Sequence, residues 1–197
     1  MESYLNLGAG KIAPILKEVG NHFIVNVDKG YKAFCVGTVS NIVYSYNIWL
    51  EHKQFQSHNC PLDAFEFMEN SPILFDNITI YRFLEHIERT RVLYFIYLLS
   101  MSVKRNGKID CIVPNYELLA HKLLSEIPGG QGWEYHDILL STEMLNEPYD
   151  PHASIWTPRR IRYFFELERR FVVDDVVEDF PFDDRSGVYL RATVRRV

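Results

Sequence analysis

The sequence predicts an α/β domain of three layers: a doubly wound, mostly parallel sheet of about seven strands with an antiparallel strand at its C-terminal end. Three observations predict it. Short apolar runs that read as strands alternate with helical patterns along most of the chain. The alternation ends in two β-rich segments, "FVVDDVVEDF" and "GVYLRATVRRV", joined by the short "PFDDRSG", which reads as an antiparallel hairpin. A length of 197 residues, with 47% apolar and 24% charged side chains, suits one folded domain. Residues 1–197 are therefore read as a single domain, with an insertion expected at 29–59. No internal repeat or low-complexity stretch interrupts it.

Tyr4 to Leu7 forms the first strand and ends at Gly8-Ala9-Gly10. Ile12 to Val19 suits a short helix, with Pro14 in its first turn. "HFIVNVD" is the next strand and finishes at Asp28. In "NIVYSYNIWLEHKQ", Ile42, Tyr46 and Trp49 recur at helical spacing, which predicts a helix. Asn59 and Cys60 lie at a strand edge. "PLDAFEFMEN" opens a helix with Ala64, Phe65 and Met68 on one side. "DNITIY" alternates as a strand and leads into a loop carrying Glu85 and His86. Glu88 to Lys104 is the clearest helix, with Val92, Phe95, Leu99 and Val103 along one face and Asn106-Gly107 as its stop. "KIDCIVPN" is a strand stopped by Pro114, and "YELLAHKLLSE" an amphipathic helix. Gly129, Gly130 and Gly132 mark a loop. Thr157-Pro158 supplies an N-cap and first-turn pair for a helix whose core face holds Ile161, Phe164, Phe165 and Leu167.

Charge and cysteine usage narrow the function classes. The net charge is −5, which argues against a nucleic-acid binder. The basic cluster "TPRRIRYFFELERR" is interleaved with acids and reads as a solvated helix face. The longest apolar run, "VLYFIYLL", is far shorter than the roughly 20 residues a bilayer span needs. No secretory signal pattern stands at the N-terminus. Cys35, Cys60 and Cys111 are scattered and odd in number, which suits reduced thiols in the cytoplasm. Without a Cys-x-x-Cys pair, and with His136 and Asp137 lacking ligand-spaced neighbours, no metal site is expected.

In a doubly wound sheet a ligand sits at the carboxyl ends of the strands, where strand order reverses. Gly8 and Gly10 fall at the end of the first strand, and Asp28 at the end of the second. An acid about 20 residues beyond a glycine turn suits the paired hydroxyls of a ribose. No third glycine completes a dinucleotide fingerprint after Gly8 and Gly10, so a ribose without a pyrophosphate fits better. A tight turn alone would also explain the glycine pair. "VPNY" follows a later strand than the Asn/Asp-Pro-Pro-aromatic motif of base-methylating enzymes and lacks the paired proline, so it reads as a strand stop.

The segments "YLNLGAG", "FIVNVDKGY", "ITIYRFLEHI" and "GKIDCIVPNYELL" resemble, in that order, the successive motifs of class I S-adenosylmethionine-dependent methyltransferases. They are most similar to the small group patterned "LNLGCG…VNVD…LEH…VPD", and "SIWTP" is similar to that group's "LWTP". The resemblance implies a Rossmann-like methyltransferase fold and S-adenosyl-L-methionine as cofactor. By that resemblance Leu7, Gly8, Ala9 and Gly10 make room for the methionine part, and Asp28 binds the ribose. Asp63 lies near the adenine, and Leu84, Glu85 and His86 sit beside the sulfonium. Ala9 and Asn115 depart from the group's usual Cys and Asp. Asp63 also reads as the cap of "AFEFMEN".

The chemistry this implies is in-line transfer of an activated methyl group, with a base only where the acceptor has a proton to lose. Glu85, His86 and His152 are the candidates, and a structural hydrogen bond is the alternative for each histidine. With the first strand so close to Met1, acceptor recognition is expected from 29–59 and 120–157, where Trp133, Tyr135, His152 and Trp156 would wall the pocket. A small-molecule or sugar-like acceptor is the leading reading. A nucleic-acid or protein methyltransferase and an inactive cofactor-binding partner subunit are the alternatives.

Overall fold

Residues 2–8, 22–27, 44–50, 53–60, 62–125, 152–181 and 188–197 are described by the computed structural model. Among them, eight strands form one sheet in the order β3-β4-β2-β1-β5-β6-β8-β7. The strands are β1 (Glu2–Leu7), β2 (His22–Val27), β3 (Tyr44–Leu50), β4 (Lys53–Cys60), β5 (Phe75–Tyr81), β6 (Val103–Pro114), β7 (Phe171–Phe180) and β8 (Tyr189–Arg196). The helices are α1 (Ala64–Asn70), α2 (Val92–Ser102), α3 (Tyr116–Ser125) and α4 (Pro158–Leu167). Strands β4, β2, β1, β5 and β6 run parallel. β8 is antiparallel to both β6 and β7 and lies between them, so the closing hairpin enters the sheet as expected. The chain winds outward from β1 through β2 to β4, then returns to β5 on the other side of β1. Strand order therefore reverses between β1 and β5.

Strand alternation sends one set of side chains to each face. Leu5, Leu7, Val25, Val27, Ile78, Ile80, Ile109, Cys111, Leu190 and Val194 join Phe65, Phe95, Ile96, Ile161 and Phe165 of α1, α2 and α4 in the main core. Tyr81, Ile112 and Tyr189, of the opposite parity, pack with Leu119 of α3. These two faces give the three layers. On the second face Asn6 is buried, and it holds a polar row across three strands. Its amide donates to Asn26 (3.2 Å) and its carbonyl accepts from the Thr79 hydroxyl (2.9 Å). At the start of the sheet, Asp76 accepts from the Ser3 amide and hydroxyl and from Lys104, tying β1, β5 and β6 together.

Several expectations change. Of the segment expected as a helix on Ile42, Tyr46 and Trp49, residues 44–50 form β3, which pairs antiparallel with β4; Ile42 lies outside the described residues. Its Tyr, Val, Ile and Trp content favours a pleated strand, and a neighbouring strand to pair with decides the matter. Residues 44–50 and 53–59 of the expected insertion at 29–59 thus belong to the sheet, and the described residues hold eight strands where about seven were expected. Helix α2 starts at Val92, after a 3-10 turn at Arg89–Arg91, and stops at Ser102. Its last serines turn their hydroxyls back onto Tyr97 and Leu98 carbonyls, and Val103 pairs with Phe75. Asn106-Gly107 therefore turns the chain inside β6 instead of ending α2. A side chain at Gly107 would meet Asp76 O at 2.8 Å. In α4 the core face is Ile161 and Phe165, Phe164 is half-buried, and Leu167 is exposed. The helix expected at 12–19 lies outside the described residues. No helix among the described residues is long and apolar enough to cross a membrane.

Candidate functional site

The carboxyl ends of β1 and β5 meet through one glycine. Gly8 has φ +68°, and its N–H donates to the Val27 carbonyl at 3.0 Å. A Cβ on it would lie 2.8 Å from both Cβ and Cδ2 of Phe83. The left-handed backbone and the close approach both require glycine. At this end of β1 the group packed against Gly8 is a side chain of the chain itself. Phe83 in turn packs on Phe95, with ring centroids 5.7 Å apart. Arg82, just before it, also has positive φ (+51°), and its N–H bonds the Ile112 carbonyl at 2.8 Å. A non-glycine residue there costs about 1–2 kcal/mol, and the turn so formed lifts Leu84–His86 into a 3-10 turn off the end of β5.

A second segment locks onto that turn. The Glu85 carbonyl accepts from the amides of Ala153 (2.7 Å) and Ser154 (2.9 Å). The Ser154 hydroxyl donates to the Leu84 carbonyl, and the Trp156 indole N–H donates to Ser154 Oγ, both at 2.9 Å. The Trp156 carbonyl accepts from the Tyr116 amide at 3.1 Å, joining the segment to the first turn of α3. Asn115 stops β6 and starts α3: its amide N–H bonds Val188, its side chain donates to the Glu178 carbonyl, and its Oδ1 accepts from Leu118.

These links bring three titratable side chains together. Donor atoms of Glu85, His86 and His152 all lie within 4.8 Å of one another. Glu85 is fully buried, and both imidazoles are half-buried. The His86 and His152 rings meet edge to face at 5.1 Å between centroids. Tyr116 Oη lies 2.5 Å from His152 Nδ1, in a hydrogen bond whose donor follows the imidazole tautomer. Burial, and then the Glu85 carboxylate, push the Tyr116 phenol well above its usual range, so it keeps its proton near neutrality.

The sequence expectation names Glu85, His86 and His152, and the fold brings these three side chains together across a long sequence separation. It missed Tyr116, because "VPNY" was read as a strand stop. The stop is real, yet its tyrosine reaches His152. The fold also brings together a cluster of metal-type donors where no metal pattern was expected. Leu7 and Leu84 are fully buried in the main core. Asp63 is the N-cap of α1, with Oδ1 accepting from the Phe65 amide at 2.9 Å. Trp156 corrects the expected pocket wall: it is 1% exposed and packs on Phe164 in the core, because its N–H is satisfied internally by Ser154. Ala9, Gly10, Asp28, Trp133 and Tyr135 lie outside the described residues.

Solved structures share this fold over the whole chain. A SAM-dependent methyltransferase from Methanosarcina mazei superposes with a TM-score of 0.63 at 12% identity, covering 99% of this chain and 92% of that one. A SAM-dependent methyltransferase from Archaeoglobus fulgidus gives 0.57 at 16% identity, covering 100% and 86%. The 1,6-didemethyltoxoflavin-N1-methyltransferase of Burkholderia thailandensis, solved with its acceptor and S-adenosylhomocysteine, gives 0.58 at 14%, covering 100% and 71%. No protein-family model matches the chain, and no curated protein sequence does. The fold is the Rossmann-like fold of SAM-dependent methyltransferases.

Proposed function

We propose that the protein is an S-adenosyl-L-methionine-dependent methyltransferase that transfers the methyl group in line to a small-molecule acceptor. One observation carries the reading. The glycine turn after β1 and the Glu85–His86 turn after β5 abut through Gly8 and Phe83, at the point where strand order reverses. That crevice is where doubly wound sheets take their ligands. Leu7 pairs with Val27 in the parallel register, so the described end of β2 lies beside the end of β1. In this reading Asp28 accepts from the ribose hydroxyls, Gly8, Ala9 and Gly10 leave room for the methionine part, and Asp63 borders the adenine.

The sulfonium supplies the activation. The chain's own groups hold cofactor and acceptor in line and receive the acceptor's proton where it has one. The Glu85–His86–His152 cluster is the group suited to that task, and Tyr116 fixes the His152 ring. A small acceptor is supported by the acidic net charge, and by the small acceptor named for the Burkholderia thailandensis neighbour. The scattered cysteines support a cytoplasmic setting, and a single domain spanning 1–197 is supported by the single sheet.

Calorimetric titration of S-adenosylmethionine tests the reading. The wild-type chain should bind one equivalent. Asp28→Ala should weaken binding about 10- to 100-fold, from loss of a charge-assisted hydrogen-bond pair of about 1–3 kcal/mol, with the melting temperature unchanged. Equal affinity in a folded Asp28→Ala protein rejects the site.

A further inference from the structure

Glu85, His86 and His152 offer one carboxylate and two imidazoles within 4.8 Å of one another. Two imidazole nitrogens and a carboxylate oxygen form a donor set suited to first-row divalent ions, zinc among them. Bonds of about 2.0–2.2 Å would draw the donors closer than they now stand, by about an ångström. The backbone already holds both ligand-bearing segments: the Glu85 carbonyl is gripped by the amides of Ala153 and Ser154, next to His152.

A second, independent feature has the form of a metal site's support. A metal-bound imidazole engages its other ring nitrogen with an oxygen acceptor, which fixes tautomer and orientation. Tyr116 Oη stands 2.5 Å from His152 Nδ1. With Nδ1–H donating to that oxygen, Nε2 is the nitrogen an ion would take.

We propose that Glu85, His86 and His152 bind one divalent ion of the zinc class, with Tyr116 as the positioning residue for His152. Three protein ligands leave a coordination position for water or an acceptor oxygen, whose proton the ion makes easier to lose. The catalytic consequence rests on the methyltransferase reading. There the ion takes over the task otherwise given to the cluster as proton acceptor: the acceptor O–H releases its proton to solvent, and the O–C bond forms as the S–C bond breaks, leaving S-adenosylhomocysteine. Ion binding itself does not depend on that reading.

The test is titration of ZnCl2 into chelator-treated protein by calorimetry, with melting temperature read in parallel. The wild-type chain should bind one zinc tightly and melt higher when loaded. His86→Ala and His152→Ala should each lower that affinity about 100-fold or more, and Tyr116→Phe about 10- to 100-fold. Absence of zinc binding by the wild-type chain overturns the proposal. So does undiminished binding by a folded His86→Ala/His152→Ala double variant, which would place the ion elsewhere. S-adenosylmethionine affinity of the zinc-free protein, measured alongside, separates the two readings: cofactor binding without zinc binding rejects only the ion site.

Discussion

Gly8→Ala is the substitution whose cost the structure sets most directly. Alanine at φ +68° loses about 1–2 kcal/mol to left-handed backbone strain. Its Cβ would also stand 2.8 Å from Phe83 Cβ. That atom is near the backbone, so relief requires moving the turn after β5, at about 1–3 kcal/mol. The sum, about 2–5 kcal/mol, is a large fraction of the roughly 5–15 kcal/mol that holds a domain together. At an m-value of about 2 kcal/mol/M the urea midpoint should fall by roughly 1–2.5 M. Phe83→Gly in the Gly8→Ala background removes that Cβ; it should relieve the clash and leave the backbone strain, giving a favourable coupling in a double-mutant cycle. A Gly8→Ala protein within about 0.5 kcal/mol of wild type, or strict additivity with Phe83→Gly, would refute the close approach as the reason for the glycine.

Asp63→Ala should cost about 1 kcal/mol through loss of the α1 cap; cofactor affinity falling with it would add the adenine role, and unchanged affinity would confine Asp63 to the cap. Burial raises the Asp76 pKa, but hydrogen bonds from Lys104 and from the Ser3 amide and hydroxyl outweigh it and hold the carboxyl near about 2, against an ordinary 3.8. A depressed carboxylate stabilises the fold above its unfolded value and loses that contribution as pH falls from about 4 to about 2. Both partners are partly exposed, 31% and 44%, so screening limits the effect to about 1 kcal/mol, and Asp76→Asn should flatten acid denaturation in that window. Trp156→Phe keeps ring bulk but removes the N–H that Ser154 accepts; it should lower stability by about 1–2 kcal/mol in chemical denaturation, whereas a pocket-wall residue would leave stability intact.

The alternation that announces the fold is a local property: β1, β2, β5, β7 and β8 were legible in their own residues, and β6 from Lys108 onward. β3 was not, because Ile42, Tyr46 and Trp49 fit a helical period by chance of spacing, and only the pairing partner in β4 decides the conformation. The end of α2 was misread for a related reason. Asn106-Gly107 carries a helix-stop signature, but Val103 pairs with Phe75 earlier. At the site, Glu85 and His86 were visible because they follow a strand. Their meeting with His152 is tertiary, made by the Glu85 carbonyl and the amides of Ala153 and Ser154. Tyr116 carried no signal: its role exists only because the Trp156 carbonyl holds the start of α3 against the same turn.

A crystal structure of the chain with S-adenosylhomocysteine bound tests the central claim most directly. The ribose hydroxyls should lie on Asp28, the methionine part over Gly8, and the sulfur on the side of Glu85, His86 and His152. Cofactor bound away from the carboxyl ends of β1 and β2, or a sulfur turned away from the Glu85–His86 turn, would contradict it.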